Sequence, residues 1–161
     1  MTDRMTDTPS CITVQAYAKI NTFLAVTGRR ADGYHTLCSH MQGITLADTL
    51  TVCRTHEPGV RLQCNHPSLS CGPDNLIVRA AQAFYTAGRE HGLTLPEGLD
   101  IELDKRIPMA AGLAGGSADA ACVIDMLTTL FPGVSEEKCD EICKELGSDV
   151  LFCREKYTCA L

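Results

Sequence analysis

The sequence predicts an α+β fold, and three observations lead there. Alternating apolar and polar residues dominate residues 12–64, which is the two-residue period of half-buried strands. Apolar spacing of three and four residues takes over after Asp74, which is the helical period. Only one short strand-like run, Leu99 to Leu103, interrupts the helical half, so strands come first and helices cluster late rather than alternating as βαβ units.

Each element follows in order. Ile12-Thr13-Val14-Gln15-Ala16-Tyr17-Ala18 alternates and reads as a strand with one buried face, and Ile20 to Thr27 as another extended segment. Asp32-Gly33 supplies a turn signal. Ile44 to Cys53 and Val60 to Cys64 read as further strands, separated by the Glu57-Pro58-Gly59 turn. Asp74 is placed to cap a helix whose apolar residues are Ile77, Ala80, Ala81 and Phe84, and Gly92 to stop it. A second helix is expected from Ala118 to Leu130, with Val123, Ile124, Leu127 and Leu130 inward, ended by Pro132-Gly133. Ser135 caps a third, with Glu136 and Glu137 complementing its dipole and Gly147 closing it. Residues 1–10 read as a loose tail.

Composition narrows the function. The chain has 161 residues, 45% hydrophobic and 21% charged, a globular balance able to bury a core. A formal charge of −6 and 5% aromatics, with no Trp, argue against nucleic-acid binding, which relies on clustered cations and stacking platforms. No apolar run is long enough to span a bilayer, and the first ten residues have no apolar core, so a cytoplasmic protein without membrane contact is expected. Ten cysteines are present, but none forms a Cys-x-x-Cys pair. Without that spacing, and without a secretion signal, they are expected to be reduced structural thiols and no metal site is assigned. Cys139 and Cys143 complete an apolar helix stripe with Ile142 and Leu146.

The strongest local signal joins the Leu99–Leu103 run to the second helix. Pro108-Met109-Ala110-Ala111-Gly112-Leu113-Ala114-Gly115-Gly116-Ser117-Ala118 is a loop kept free of bulk, so a phosphate chain could approach its backbone. Loop N–H groups and the positive helix end would face that anion. Ser117 could donate to a phosphate or sit near its magnesium ion. The bland alternative is a tight connection with Ser117 as a helix cap. It is not a P-loop, because no Gly-Lys-Ser/Thr follows, and the Gly-x-Gly-x-x-Gly dinucleotide fingerprint is also missing.

Four stretches together carry a family resemblance. They are Ala18-Lys19-Ile20-Asn21-Thr22-Phe23-Leu24, Gly28 to Leu37 with Asp32-Gly33-Tyr34-His35 at its centre, the Lys105 to Ala121 loop, and Leu146-Gly147-Ser148-Asp149-Val150. In order and spacing the chain resembles the GHMP kinases, the superfamily of galactokinase, homoserine kinase and mevalonate kinase. Within it the chain is similar to the branch that phosphorylates diphosphocytidyl-methylerythritol on the non-mevalonate route to isoprenoid precursors. The resemblance implies the family's N-terminal lobe, a ribosomal protein S5 domain 2-like mixed sheet with helices on one side, over residues 11–161. It implies ATP and Mg2+, a small-molecule substrate, Asp149 as the acid that takes the hydroxyl proton, and Lys19 as its cationic partner. Residues 108–118 would hold the ATP phosphates, and Asn21, Tyr34 and His35 the cytidyl substrate. Another GHMP specificity, or an inactive nucleotide-binding module, remains as an alternative. Leu151 stands where the family typically has Pro, and Met41 where some members have an aromatic ring. The chain ends inside what resembles a strand, so the second lobe is expected to be absent, with an unpaired sheet edge left behind.

Overall fold

The computed structural model describes residues 10–29, 33, 35–155 and 159–160. Two long strands carry the sheet, β1 (Cys11–Arg29) and β2 (His35–Thr55), antiparallel along nearly their whole length. Then come β3 (Gly59–Cys64), α1 (Leu76–Glu90), β4 (Gly98–Asp104), α2 (Gly115–Leu130), α3 (Glu136–Leu146), α4 (Ser148–Arg154) and β5 (Cys159–Ala160). The strand order is β1-β2-β4-β3, with β5 on β2, and β3 runs parallel to β4, so the sheet is mixed.

One face of the sheet is apolar. Ala16 and Ala18, Leu50 and Val52, Leu99, Ile101 and Leu103, and Leu62 are all buried and form one cluster with α1, α2 and α3, which Ala18 alone does not join. Thr13, Gln15 and Glu102, on the alternate positions, are exposed. The period of two therefore selects the side on which the helices settle. Every residue expected on the inner faces of the first two helices is buried, from Ile77 to Phe84 and from Val123 to Leu130.

Several expectations need correction. The two extended segments 12–18 and 20–27 are one strand; register shifts after Tyr17, Asn21 and Val26 absorb the break in alternation. Asn75, not Asp74, caps α1, its side chain accepting from the Ile77 N–H at 2.9 Å, because Asp74 accepts from the Ser70 hydroxyl at 2.7 Å instead. α2 begins at Gly115 rather than Ala118, so Ser117 lies inside its first turn and is not its cap. The short helix α4 was not anticipated; Ser148-Asp149 opens it. The thiols are not all reduced either, because Cys11 and Cys53 form a disulfide. They lie 42 residues apart in sequence but directly opposite in the β1–β2 register, with Cα atoms 4.1 Å apart, so strand pairing brought together what sequence spacing hid.

The predicted ends of two helices agree. Ser135 accepts from the Lys138 N–H at 3.2 Å and caps α3, and Gly92 follows α1 with φ +73°. Of the expected tail, only Ser10 is described, and its carbonyl accepts from the Arg54 N–H at 2.9 Å. Among the described residues no helix is long and apolar enough to cross a membrane.

Candidate functional site

The loop between β4 and α2 is built to stay open. Residues 108–112 are exposed, and left-handed backbone recurs at Ala110 (φ 55°), Gly112 (φ 74°) and Ala114 (φ 56°). An alternation of this kind curls successive peptide N–H groups toward one concave side, the geometry that holds anions. Two alanines adopting a conformation that costs about 1–2 kcal/mol per L-residue mark a loop held by its surroundings. α2 has no side-chain cap, so its first N–H groups, which have no intrahelical partner, are not taken up by a capping side chain either. A cavity of about 470 Å³ opens here, lined by residues 108–117 together with Asn75, Lys105 and Asp119.

The loop is anchored from below. Gly115 is tightly enclosed, since a Cβ there would stand 2.7 Å from Lys105 Nζ and 2.9 Å from Ile107 Cγ2. The Lys105 ammonium lies between two buried carboxylates, Asp48 of β2 and Asp119 of α2, the latter at 2.9 Å. Asp48 also accepts the backbone N–H groups of Arg106 and Ile107, the second at 2.8 Å. Asp119 is pushed up to about 7, chiefly by burial; Lys105 opposes the shift and Asp48 adds to it. Burial lowers Lys105, but its two carboxylate partners outweigh that and hold it above the usual lysine range. These three residues were missed as a group. The available signal was Asp119 itself, an acid set among Ala118, Ala120 and Ala121 on an otherwise apolar helix face.

Lys19 and Asp149 meet beside this loop. Lys19 is buried at 5% exposure, and its ammonium lies 3.2 Å from Asp149 Oδ2 and donates to Asn21 Oδ1 at 2.7 Å. Asp149, half-buried at the start of α4, keeps access to solvent. The Lys19 backbone N–H donates to the Leu113 carbonyl at 3.1 Å, tying β1 directly to the loop. The pair is positioned by elements far apart in sequence. β1 delivers Lys19 where its register shifts, and α4 delivers Asp149 under the control of Arg154, whose guanidinium contacts Asp125 of α2 and both Glu136 and Asp140 of α3. Ala118 is buried in α2 and lines a second, apolar cavity of about 660 Å³ between β1, α2 and α4, which also reaches Lys19.

Of the residues expected at the cytidyl end, Asn21 is exposed and joined to Lys19 rather than to its own backbone. Tyr34 lies outside the described residues, and of His35 only the backbone is described, opening β2 opposite Arg29. Met41 pairs with Asn21 across the two strands, and Leu151 lies in α4, packed against the core. Among the described residues no group of three or more His, Cys, Asp or Glu could hold a metal ion. Burial raises the thiols of Cys64 and Cys139, and pushes Cys143 and Cys153 up to about 12, so these four stay protonated.

Comparison with known proteins bears on the fold and the family. Residues 75–154 match the GHMP kinases N terminal domain. The chain is 46% identical over 139 residues to a 4-diphosphocytidyl-2-C-methyl-D-erythritol kinase of Desulfitobacterium hafniense, covering 86% of this chain and 45% of that protein. It is 45% identical over 148 residues to the protein of the same name from Thermoanaerobacter pseudethanolicus, covering 91% and 49%. A crystal structure of 4-(cytidine 5'-diphospho)-2C-methyl-D-erythritol kinase superposes with a TM-score of 0.73 at 38% identity, over 88% of this chain and 48% of that one. Homoserine kinase from Cytophaga hutchinsonii superposes at 0.61 with 15% identity, covering 98% and 45%, which speaks for the fold alone. The chain thus spans about half the length of the curated relatives it matches. With the mixed sheet, the open loop before α2 and the residues matched from 75 to 154, the chain carries the GHMP kinases N terminal domain.

Proposed function

We propose that this chain supplies the nucleotide-binding and phosphoryl-transfer site of a kinase that phosphorylates the 2-hydroxyl of 4-diphosphocytidyl-2-C-methyl-D-erythritol with ATP, in the cytoplasm. The observation that carries the reading is the Lys19–Asp149 pair at 3.2 Å, joined to the loop through the Lys19 N–H and the Leu113 carbonyl.

In this reading the triphosphate lies on residues 108–117, where the exposed stretch 108–112 and the uncapped start of α2 meet its charge, with Ala118 buried behind them. Asp149, the more exposed partner, takes the proton of the attacking hydroxyl as its oxygen bonds to phosphorus. Lys19, buried and held by Asn21, keeps the carboxylate oriented and steadies the forming oxygen–phosphorus contact. A positioned acid and cation suit phosphoryl transfer, where catalysis consists largely of alignment and charge stabilisation. Because the described residues hold no acidic cluster able to bind a metal alone, magnesium is proposed only as the ion the triphosphate carries, where it would offset phosphate charge. Tyr34 and His35 are proposed to receive the cytosine ring, and Asn21 to meet the substrate as well as Lys19.

The test is a coupled assay of the intact protein with ATP and the diphosphocytidyl alcohol, beside homoserine and mevalonate as competing acceptors. Turnover of the first alone is expected. Asp149→Asn should lower kcat by about 10²–10⁴-fold while leaving ATP affinity within about threefold. Undiminished turnover in that variant would reject the assignment of Asp149.

A further inference from the structure

Below the loop lies a charged group that the proposed reaction does not use. Asp48, Lys105 and Asp119 carry side chains exposed by 0%, 4% and 2%, and two carboxylates share one ammonium there. Fully ionised, the three sum to one negative charge (−1 + 1 − 1) directly beneath a surface suited to anions. The two acids are not equivalent. Asp48 accepts from Lys105 through one oxygen and from the Arg106 and Ile107 N–H groups through the other, so its ionised form is fully hydrogen-bonded. Asp119 accepts from Lys105 through Oδ2, while its Oδ1 is buried without a hydrogen-bond partner. A buried ionised oxygen with no donor is costly, and a proton there removes the cost. Asp119 also lines the cavity formed by residues 108–117.

We propose that Asp119 is a positioning residue of the triphosphate site whose protonation from solvent is completed as the nucleotide binds, leaving the seat beneath the loop electrically neutral. The inference rests on the kinase reading above. The neutral cluster keeps Lys105 in place against Gly115, so the loop holds its shape while the repulsion between Asp119 and the phosphates disappears. The groups facing Asp119 are Lys105 from the end of β4 and Asp48 from β2. The thiols of Cys64 on β3 and Cys153 on α4 feel its charge but stay protonated through burial, and Asp74 lines the same cavity. A carboxyl raised to about 7 is poised to exchange its proton near neutrality.

Isothermal calorimetry of ATP binding to the intact protein, at pH 7 in two buffers of different ionisation enthalpy, measures the protons taken up. Asp119→Asn, neutral and of the same shape, run in the same buffers, removes the nucleotide's own ionisation from the comparison. Wild type is expected to take up more protons than the variant and to bind ATP at least about threefold more weakly at pH 8 than at pH 6. The variant is expected to lose both the excess uptake and that slope. Equal uptake and equal slope in the two proteins would overturn the inference while leaving the kinase reading intact. Failure of wild type to bind ATP at all would overturn both. Should the variant not fold, infrared titration of the wild-type buried carboxyl decides: its midpoint must rise when ATP is added, and an unmoved midpoint rejects the proposal.

Discussion

Gly115 and Asp119 show how narrowly the loop is held at the level of single atoms. Adding one methyl at Gly115 would press on the Lys105 ammonium at 2.7 Å and on Ile107 at 2.9 Å; the first is held in a buried ion cluster and the second is itself buried. Gly115→Ala is therefore expected to destabilise by about 1–3 kcal/mol in urea denaturation and to weaken ATP binding with it. Asp119 makes stability depend on pH in a fixed direction. Its value rises from 3.8 in the unfolded chain to about 7 in the fold, so the folded state binds the extra proton between those limits. The unfolded state holds fewer protons there, so this group's contribution to stability falls as pH climbs from about 4 to 7 and levels off above. Melting temperatures of wild type and Asp119→Asn across pH 4–8 should diverge in that window, with the wild type losing more. Little of this was visible in the sequence. The glycine loop announced itself through composition, but Lys105 and Asp48 lie 57 residues apart, and only the pairing of β2 with β4 brings them together.

Among the secondary-structure elements, α4 matters most for its size. Seven residues carry Asp149, and their placement depends on Arg154, whose side chain is 8% exposed and touches acids from both α2 and α3. Burial lowers its already high pKa, but Glu136 and Asp125 outweigh that and raise it further, so the anchor keeps its charge at every working pH. Arg154→Leu should cost about 1–3 kcal/mol, since the partner acids are partly solvated, and should lower kcat more than it changes KM for ATP. Steady-state kinetics beside thermal melts would separate the two effects. The helix went unseen because Gly147-Ser148-Asp149 reads as a turn and seven residues are too few for a periodic pattern. α3 was legible for the opposite reason: Ser135, two glutamates and Gly147 mark both its ends. Removing that cap by Ser135→Ala is expected to cost about 1 kcal/mol in the same denaturation assay. The strands β3 and β4 were legible through their alternation, whereas the length of β1 was not, because its register shifts break the pattern where Lys19 and Asn21 emerge.

At the scale of the molecule, one covalent link and one long ribbon stand out. The Cys11–Cys53 bridge closes a sequence separation of 42 residues across β1 and β2, and its reduction is expected to lower unfolding free energy by about 3–4 kcal/mol in the chain-entropy picture. Denaturation with and without dithiothreitol would measure it, with Cys11→Ser as a control that should no longer respond. Beyond this link, β1 finds only β2 beside it among the described residues, and Phe23, Leu24 and Val26 with Leu37 opposite are more than half exposed. The fold class was legible because the order of patterns survives any change in register. The disulfide was not, since pairing partners are a property of the assembled sheet. The same assembly has a mechanical side. Because the Lys19 N–H donates to the Leu113 carbonyl, a displacement of the glycine turn is passed to the strand that bears the Lys19 ammonium. Within the proposed reaction, the phosphate seat and the acid–cation pair are thus coupled through one backbone hydrogen bond.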